Sequence, residues 1–198
     1  MIKNKPLYDT HFPTKLGSYQ QDKCVKAINY CIKKQCAIDI GAHVGHWAHN
    51  LKQEFKSVHC FEPIPDNYAC LVNNVPGCSY YPIALLDKPG RFNLYLESNS
   101  NSGSWTAFPE QENHTRILTV KTRTLDSFNL APDFIKMDVQ NCELFVLQGA
   151  VNTLRVNKPV LCIESMTNRF RRDIHAFLKD LGYCRVDGLG KEEIFAVN

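Results

Sequence analysis

Strand-like and helix-like segments alternate along most of this chain, and no other feature restricts its fold as strongly. The first unit is a short apolar strand at Cys36–Ile40, followed by a helix over His43–Phe55 with Val44, Trp47 and Leu51 on one face. Because crossover helices cover both faces of a parallel sheet, the pattern predicts an α/β protein with a mostly parallel central sheet.

The remaining segments extend this pattern to the C-terminus. Further strands are predicted at Ser57–Phe61, Ser79–Leu85, Arg91–Leu96, Ile117–Thr122, Phe134–Val139 and Pro159–Glu164, and further helices at Tyr19–Lys33, Asp66–Asn74, Glu143–Leu154 and Phe170–Leu181. Two last strands, Tyr183–Val186 and Glu193–Val197, predict a C-terminal antiparallel hairpin. We expect one domain, with an N-terminal helical segment (residues 1–34) and a core (residues 35–198).

Composition excludes several classes of protein. A chain of 198 residues, 44% hydrophobic and 22% charged, can bury a core without a disulfide or metal staple. A net charge of +3 without a clustered basic surface predicts no nucleic-acid partner. Nine cysteines without a CxxC pair, no apolar leader and no run of 18 apolar residues predict a reduced, cytoplasmic protein that is not inserted into a membrane.

The turn after the first strand has the pattern DxGxxxG, formed by Asp39, Gly41 and Gly45. Gly41 permits a tight turn and close approach of a ligand, and Gly45 lets the next helix pack against the strand. In the dinucleotide pattern GxGxxG a pyrophosphate lies at the helix N-terminus, and Asp39 would repel it. The turn therefore favours a ligand that presents an ammonium or a hydroxyl group.

Glu62 ends the second strand, about 20 residues beyond the glycine turn, where an acidic side chain can accept both hydroxyls of a ribose. The alternative is an exposed carboxylate that only ends a strand. Together the two strand ends predict a site for a nucleoside that carries an amino acid, for which S-adenosylmethionine is the obvious candidate.

Several blocks of the chain between Cys36 and Glu164 resemble, in order, the FkbM family of class I methyltransferases. They include DIGAHVGHWA, CFEPIPDNYACLVNN, NSGSW and DFIKMDVQNCELFVLQGA. The resemblance implies a Rossmann-like methyltransferase sheet, S-adenosylmethionine as cofactor, and O-methylation of a hydroxyl group on a sugar or glycan. Residue by residue, it implies a cofactor site made by Asp39, Gly41, Ala42, His43, Gly45, Glu62, Pro63, Asn67 and Ala84.

One segment departs from the family pattern. The family usually has D-V-E-G-x-E after the fourth core strand, whereas this chain has Asp138-Val139-Gln140-Asn141-Cys142-Glu143. Loss of the carboxylate at Gln140 weakens a general-base or metal role at that position. It indicates a different acceptor or an altered activity.

A sugar hydroxyl is scarcely acidic, so we expect a general base. Asp138 is the first candidate, and His114, Glu143 and Glu164 follow. Support of the cofactor is the alternative role for Asp138, and a favourable interaction with the helix dipole is the alternative for Glu143. A divalent cation is not expected; Asp138, Glu143 and Glu164 would be its ligands.

The acceptor side is predicted from the loop between residues 97 and 114. The resemblance places Asn101 to Ser104 across the site, and His46, Ser102, Ser104 and Trp105 are expected to contact the acceptor. Trp105 can stack on a sugar or base face, or else pack as part of a lid. The triplet His43, His46 and His49 is not expected to bind metal, because helical spacing spreads the rings over a broad face.

Three other functions stay open. A nicotinamide-dependent enzyme is disfavoured by the missing GxGxxG. An RNA ribose methyltransferase has the same fold but needs a broad basic surface. A non-catalytic module that binds S-adenosylmethionine is suggested by Gln140 and Asn141. A chain with little beyond a catalytic core is also compatible with a piece of a larger multidomain polypeptide.

Overall fold

The computed structural model describes residues 16–96, 105–106, 116–164 and 168–197, and for residues 168 and 169 it describes the backbone alone. His114, Ser102 and Ser104 therefore lie outside the described residues. The helices are α1 (Gln21–Ile28), α2 (His46–Glu54), α3 (Pro65–Asn74), α4 (Glu143–Gln148), α5 (Val151–Asn157) and α6 (Asn168–Asp180). Within the described ranges, no helix has the length and apolar character needed to cross a bilayer.

The central sheet has seven strands, and five of them are parallel neighbours. Its strands are β1 (Cys36–Ile40), β2 (Ser57–Phe61), β3 (Ser79–Tyr81), β8 (Phe134–Met137), β9 (Val160–Glu164), β10 (Tyr183–Leu189) and β11 (Glu192–Val197). The order is β10-β11-β9-β8-β1-β2-β3, with β11 antiparallel to both β9 and β10. The predicted mostly parallel sheet and C-terminal hairpin are confirmed.

A second, smaller sheet stands beside the carboxyl ends of the central strands. It contains β4 (Ala84–Leu85), β5 (Gly90–Leu96), β6 (Trp105–Thr106) and β7 (Arg116–Arg123), in the order β4-β7-β5-β6. The single strand predicted over Ser79–Leu85 is wrong, because its two halves belong to different sheets. Pro82 separates them, and a proline has no N–H to continue a strand ladder.

The helix predicted over Glu143–Leu154 is also wrong, since it is broken into α4 and α5. At the break, a Cβ on Gly149 would collide with the carbonyl oxygen of Leu86. Asp126, in a short 3-10 helix, then accepts hydrogen bonds from the N–H of Asn152 and Thr153 and so caps α5. The break lets Leu86 and Asp87, which follow β4, pass close to the helix backbone at Gly149.

Helix α1 is shorter than predicted and buries a different face. Cys24, Ala27 and Ile28 are buried, whereas Val25 is about half exposed and Ile32 is fully exposed. Val25, Ile28 and Ile32 recur at helical spacing, which predicts one shared buried face, but only Ile28 of the three is buried. Small side chains allow α1 to pack closely on α2 and β9, which the spacing of the larger apolar residues did not indicate.

The core lies on both faces of the central sheet, and strand β1 contributes to each. Ala37 packs with α1 and α2 on one face, whereas Ile38 and Ile40 pack with α4, α5 and α6 on the other. Alternation places the carboxylate of Asp39 on the α2 side, beside Lys136, its register partner in β8. A charged pair is thereby buried next to the carboxyl ends of the strands.

Candidate functional site

A cavity of about 340 Å³ opens at the carboxyl ends of β1, β2, β8 and β9. This is the edge at which open α/β sheets bind ligands, and the volume is within the range of small-molecule sites. Strands β4, β5 and β6 of the second sheet close one side, and residues 19–20 close another.

Most of the predicted site residues line this cavity. They are Asp39, Gly41, Ala42, His43, His46, Glu62, Pro63, Asn67, Ala84, Trp105, Asp138 and Glu164. Gly45 and Glu143 were predicted in the site, and the structure places both behind its wall. Sequence reasoning missed Tyr19, Gln20 and Lys136, which also line the cavity. Tyr19 and Gln20 lie outside the family blocks, and Lys136 lies within DFIKMDVQNCELFVLQGA without having been singled out.

Gly41 brings the turn after β1 against the turn after β8. Its φ is 77°, and an added Cβ would collide with the carbonyl oxygen of Asp138. The N–H groups of Gly41 and Ala42 both donate to the carbonyl of Phe61, at 3.0 and 3.1 Å. Gly41 is therefore required for contact between neighbouring strand ends, which fixes the floor of the cavity.

Gly45 has a packing role. It precedes α2 with a φ of 99°, and an added Cβ would lie 2.6 Å from Cγ2 of Val75. The glycine thus lets α2 approach α3 closely. Of its two predicted roles, the structure supports the packing one, and Gly45 reaches the cofactor loop only through its neighbours.

The Glu62 carboxylate is buried and held by the backbone. Its Oε2 accepts from the His43 N–H at 2.8 Å and its Oε1 from the Ile64 N–H at 2.9 Å. Burial raises the pKa of Glu62 to about 7, against these hydrogen bonds and one from Asn67, which lower it. The carboxylate is rigid and faces the cavity, so it can accept further hydrogen bonds from a ligand.

Asp39 is fully buried at the floor of the cavity. Neither of its oxygens accepts a hydrogen bond of standard geometry from the described residues, although the nearby Ala48 amide lowers its pKa slightly. Burial raises the pKa of Asp39 to about 6, and the positive charge of Lys136 opposes that rise. A buried carboxylate in this state favours a ligand that brings a hydroxyl or a positive charge.

Lys136 is a buried cation between the two aspartates. Its Nζ lies 3.3 Å from Oδ2 of Asp138 and 5.5 Å from the ring centroid of Trp47. Burial alone would lower the pKa of Lys136, but Asp138 and Asp39 raise it above its ordinary value. Lys136 therefore stays charged and compensates the buried carboxylate of Asp39 and the partly exposed carboxylate of Asp138.

The carboxyl groups of Asp138 and Glu164 form a hydrogen-bonded pair across the ends of β8 and β9. Burial and then the charge of Asp138 raise the pKa of Glu164 to about 8. Burial alone would raise the pKa of Asp138, but Lys136 and hydrogen bonds from Glu164 and Gln140 lower it. The two shifts have opposite directions, so a proton bound by the pair is favoured on Glu164 over Asp138.

The segment that departs from the family pattern supports Asp138. Gln140 donates from Nε2 to Oδ1 of Asp138 at 2.9 Å, so an amide stands where the family has a carboxylate. Gln140 and Asn141 have φ values of 51° and 74°, a conformation that glycine adopts without strain. Asn141 stands where the family usually has glycine, and its backbone nevertheless adopts the left-handed conformation.

Glu143 holds this segment from behind. Its Oε1 accepts from the N–H of Val139 at 3.2 Å and of Asn141 at 3.3 Å. Burial raises its pKa to about 7. Its contacts are with backbone amides, which corresponds to the predicted alternative to a catalytic role. Among the described residues, no three His, Cys, Asp or Glu side chains converge as metal ligands.

The donor set fits the predicted cofactor. Asp39 and Glu62 offer buried carboxylates to an ammonium, a sulfonium or ribose hydroxyls, and burial lowers the pKa of His43 to about 4, so that this ring is neutral. Ile83 and Leu85 add an apolar wall suited to a purine ring.

Comparison with solved structures identifies the fold. An FkbM methyltransferase from Methylobacillus flagellatus KT is 18% identical with a TM-score of 0.57, and the match covers 82% of this chain and 43% of that chain. The chain thus spans less than half the length of this relative.

Two further solved structures contain bound S-adenosylmethionine. An amino pentose methyltransferase from Micromonospora echinaspora is 10% identical with a TM-score of 0.54, over 93% of this chain and 92% of that one. A magnesium protoporphyrin IX methyltransferase from Synechocystis PCC 6803 is 12% identical with a TM-score of 0.51, over 92% and 79%. Their different acceptors show that the fold does not determine the acceptor.

Comparison by sequence identifies the family. No curated protein sequence matches the chain. The family model of the methyltransferase FkbM domain matches residues 39–184, nearly three quarters of the chain. The protein therefore belongs to the FkbM methyltransferase family.

Proposed function

We propose that this protein methylates a hydroxyl group on a sugar or glycan. The observation that carries the proposal is that the carboxyl groups of Asp138 and Glu164 lie together in the cavity wall, where burial and the charge of Asp138 raise the pKa of Glu164. Transfer to a hydroxyl of low acidity requires a group that takes the hydroxyl proton. A pair whose second proton dissociates near pH 8 is suited to that task.

The cofactor end of the cavity is assigned to the turns after β1 and β2. Glu62 accepts the ribose hydroxyls, with Pro63 and Asn67 beside it, and Ala84 lies against the base. Asp39 and the backbone of Gly41, Ala42 and His43 hold the amino-acid end. When bound, S-adenosylmethionine supplies an electrophilic methyl group.

The acceptor end is assigned to the ends of β8 and β9 and to the second sheet. Glu164, once deprotonated, takes the proton from the acceptor oxygen. Asp138 remains ionised because Lys136 and Gln140 stabilise its charge, and it accepts a hydrogen bond from the new Glu164 carboxyl. His46 and Trp105 border the acceptor.

The test combines cofactor binding with methyl transfer. Purified protein is incubated with isotopically labelled S-adenosylmethionine and a panel of sugars, glycans and RNA oligonucleotides, and methylated products are identified by mass spectrometry. We expect a methyl ether on a carbohydrate. Methylation of RNA alone, or of no acceptor by a protein that binds S-adenosylhomocysteine, contradicts the proposal.

Substitutions then test the carboxyl pair. Glu164→Gln and Asp138→Asn should each lower kcat about 100-fold or more, with binding of S-adenosylhomocysteine kept within a few-fold. Asp87→Asn is a matched control, since Asp87 is an exposed acid just beyond β4. Full activity of both pair variants would show that the carboxyl pair is not the base.

A further inference from the structure

Residues 16–20, which precede α1, are fixed onto α2 beside the cavity. The Gly17 N–H donates to Nδ1 of His46 at 3.2 Å, and Nδ2 of Asn50 donates to the Gly17 carbonyl at 2.8 Å. Nε1 of Trp47 donates to Oε1 of Gln20 at 2.7 Å. Three hydrogen bonds thus attach this short segment to the first part of a single helix.

The backbone of this segment follows a path that leaves little freedom. Gly17 has a φ of 82°, and an added Cβ would lie 2.5 Å from Cδ2 of His49. Gln20 has a φ of 54°, in the left-handed region. The close approach at Gly17 and the bend at Gln20 fix the position of Tyr19 between them.

Tyr19 lies in the cavity wall with 44% of its surface exposed. Its ring centroid is 5.6 Å from that of His46, with the two planes inclined by 59°. Nε2 of Gln20 donates to the Tyr19 hydroxyl at 3.3 Å. Burial is the largest cause that raises the pKa of this hydroxyl, and the charges of Glu164 and Asp138 also raise it. Tyr19 is therefore close enough to the carboxyl pair to interact with it electrostatically.

We propose that Tyr19 and His46 form the binding subsite for the acceptor sugar, with the exposed Tyr19 ring stacked against the sugar and the acceptor hydroxyl turned toward Glu164. This inference rests on the proposed function. A half-exposed aromatic ring offers an apolar face to the C–H groups of a sugar, while its hydroxyl edge is polar. Tyr19 lies outside residues 39–184, so the family model includes His46 but not the Tyr19 half of this subsite.

The geometry also separates a binding role from a structural one. The three hydrogen bonds that attach the segment are made by Gly17 and Gln20, so truncation of the Tyr19 ring leaves their partners in place. Tyr19 is thus a proposed substrate-binding residue that can be altered without removing those attachments.

The experiment compares the full-length Tyr19→Ala and Tyr19→Phe proteins with wild type, using the sugar that wild type methylates. We expect Tyr19→Ala to raise the acceptor KM about tenfold, the size of one aromatic stacking contact, and to change the Kd of S-adenosylhomocysteine less than twofold. Tyr19→Phe keeps the ring and should retain most of the affinity. Tyr30→Ala is the matched control, because Tyr30 is 38% exposed and donates to Asp187 away from the cavity.

Two outcomes would overturn the subsite. The first is an unchanged acceptor KM in Tyr19→Ala while wild type methylates the sugar, which leaves the proposed function intact. The second is an equal loss of acceptor and S-adenosylhomocysteine binding, which shows a structural role. Failure of the proposed function looks different: wild type bound to S-adenosylhomocysteine gives no saturation-transfer NMR signal with any sugar and methylates none, and the subsite then falls with it.

Discussion

The two ends of the cavity stabilise their carboxylates in different ways. At the cofactor end, Glu62 is held by backbone N–H groups of the turns that follow β1 and β2. At the acceptor end, Asp138 is held by the side chains of Lys136, Gln140 and Glu164, which come from two strands and the intervening turn.

This difference suits the cofactor end to binding and the acceptor end to proton transfer. Backbone donors have a fixed geometry, so they hold the Glu62 carboxyl group in one position, although burial raises its pKa to about 7. Side-chain partners do titrate, so at the acceptor end a proton can move between Asp138 and Glu164. The two ends also differ in their turns: Gly41 and Gly45 adopt positive φ at one, and Gln140 and Asn141 do so at the other.

The largest effect is expected from Lys136→Met, which removes the cation that the two ends share. Asp39 would then be buried and Asp138 partly buried without a compensating charge, and we expect a loss of about 3–5 kcal/mol in the free energy of unfolding. Urea denaturation measures it. Lys34→Met is the control, because the Lys34–Glu54 pair is exposed and contributes about 1 kcal/mol or less. Equal losses in the two variants would refute a shared buried cation.

The next effect concerns the cofactor end alone. Glu62→Ala removes the ribose acceptor and leaves the His43 and Ile64 N–H groups without their partner, so S-adenosylhomocysteine affinity should fall about 100-fold. Calorimetric titration tests this, with Asp66→Ala as the control on the exposed start of α3. Undiminished affinity in Glu62→Ala would remove Glu62 from the cofactor site.

The acceptor end should control the pH dependence of the reaction. The raised pKa of Glu164 means that its proton is lost only near pH 8, so kcat should rise with pH up to about 8 and level off above it. The raised pKa also links protonation of Glu164 to folding. Its contribution to the free energy of unfolding is greatest below the unfolded pKa of about 4.3 and is lost as the pH rises through about 8. A pH–rate profile measures the first effect and thermal unfolding the second.

Gln140→Glu sharpens this test. A third carboxylate beside Asp138 replaces an amide donor with a negative charge, so the inflection in kcat should move to higher pH. An inflection that stays in place in Gln140→Glu and in Glu164→Gln would show that another group titrates.

The smallest effect is expected from Asn141→Gly. Asn141 has a φ of 74°, and its buried Oδ1 accepts no hydrogen bond from the described residues. Glycine at this position relieves both costs, and we expect a gain of up to about 1 kcal/mol in the free energy of unfolding. Gly41→Ala, the matched change at the cofactor end, should destabilise the protein instead. A loss of stability in Asn141→Gly would show that the loop is not strained.

Local chemistry was sufficient to predict much of the cofactor end. Strand β2 was predicted with its observed bounds, and the turn after β1 lies on the predicted sheet edge. Both depend on a short apolar run followed by glycine or proline, and such signals lie within a few residues of each other. The methyltransferase family, the fold and the cofactor followed from these blocks and are confirmed.

Longer contacts changed the predictions that failed. Gly149 breaks the predicted helix because the Leu86 carbonyl passes against it, and residues 63 positions apart along the chain leave no shared local pattern. The catalytic role of Glu143 stays a prediction, and its carboxylate accepts hydrogen bonds from the nearby Val139 and Asn141 amides.

The sequence by itself determined the alternating sheet, the family and the identity of the polar residues at the strand ends. The tertiary structure decided which of those residues are partners: that Lys136 lies between two aspartates, that Glu164 pairs with Asp138, and that Tyr19 reaches the cavity. The physical reason is that backbone hydrogen bonds and turn conformations are local. Charge pairing and burial depend on the register between strands and on the packing of α1 and α2.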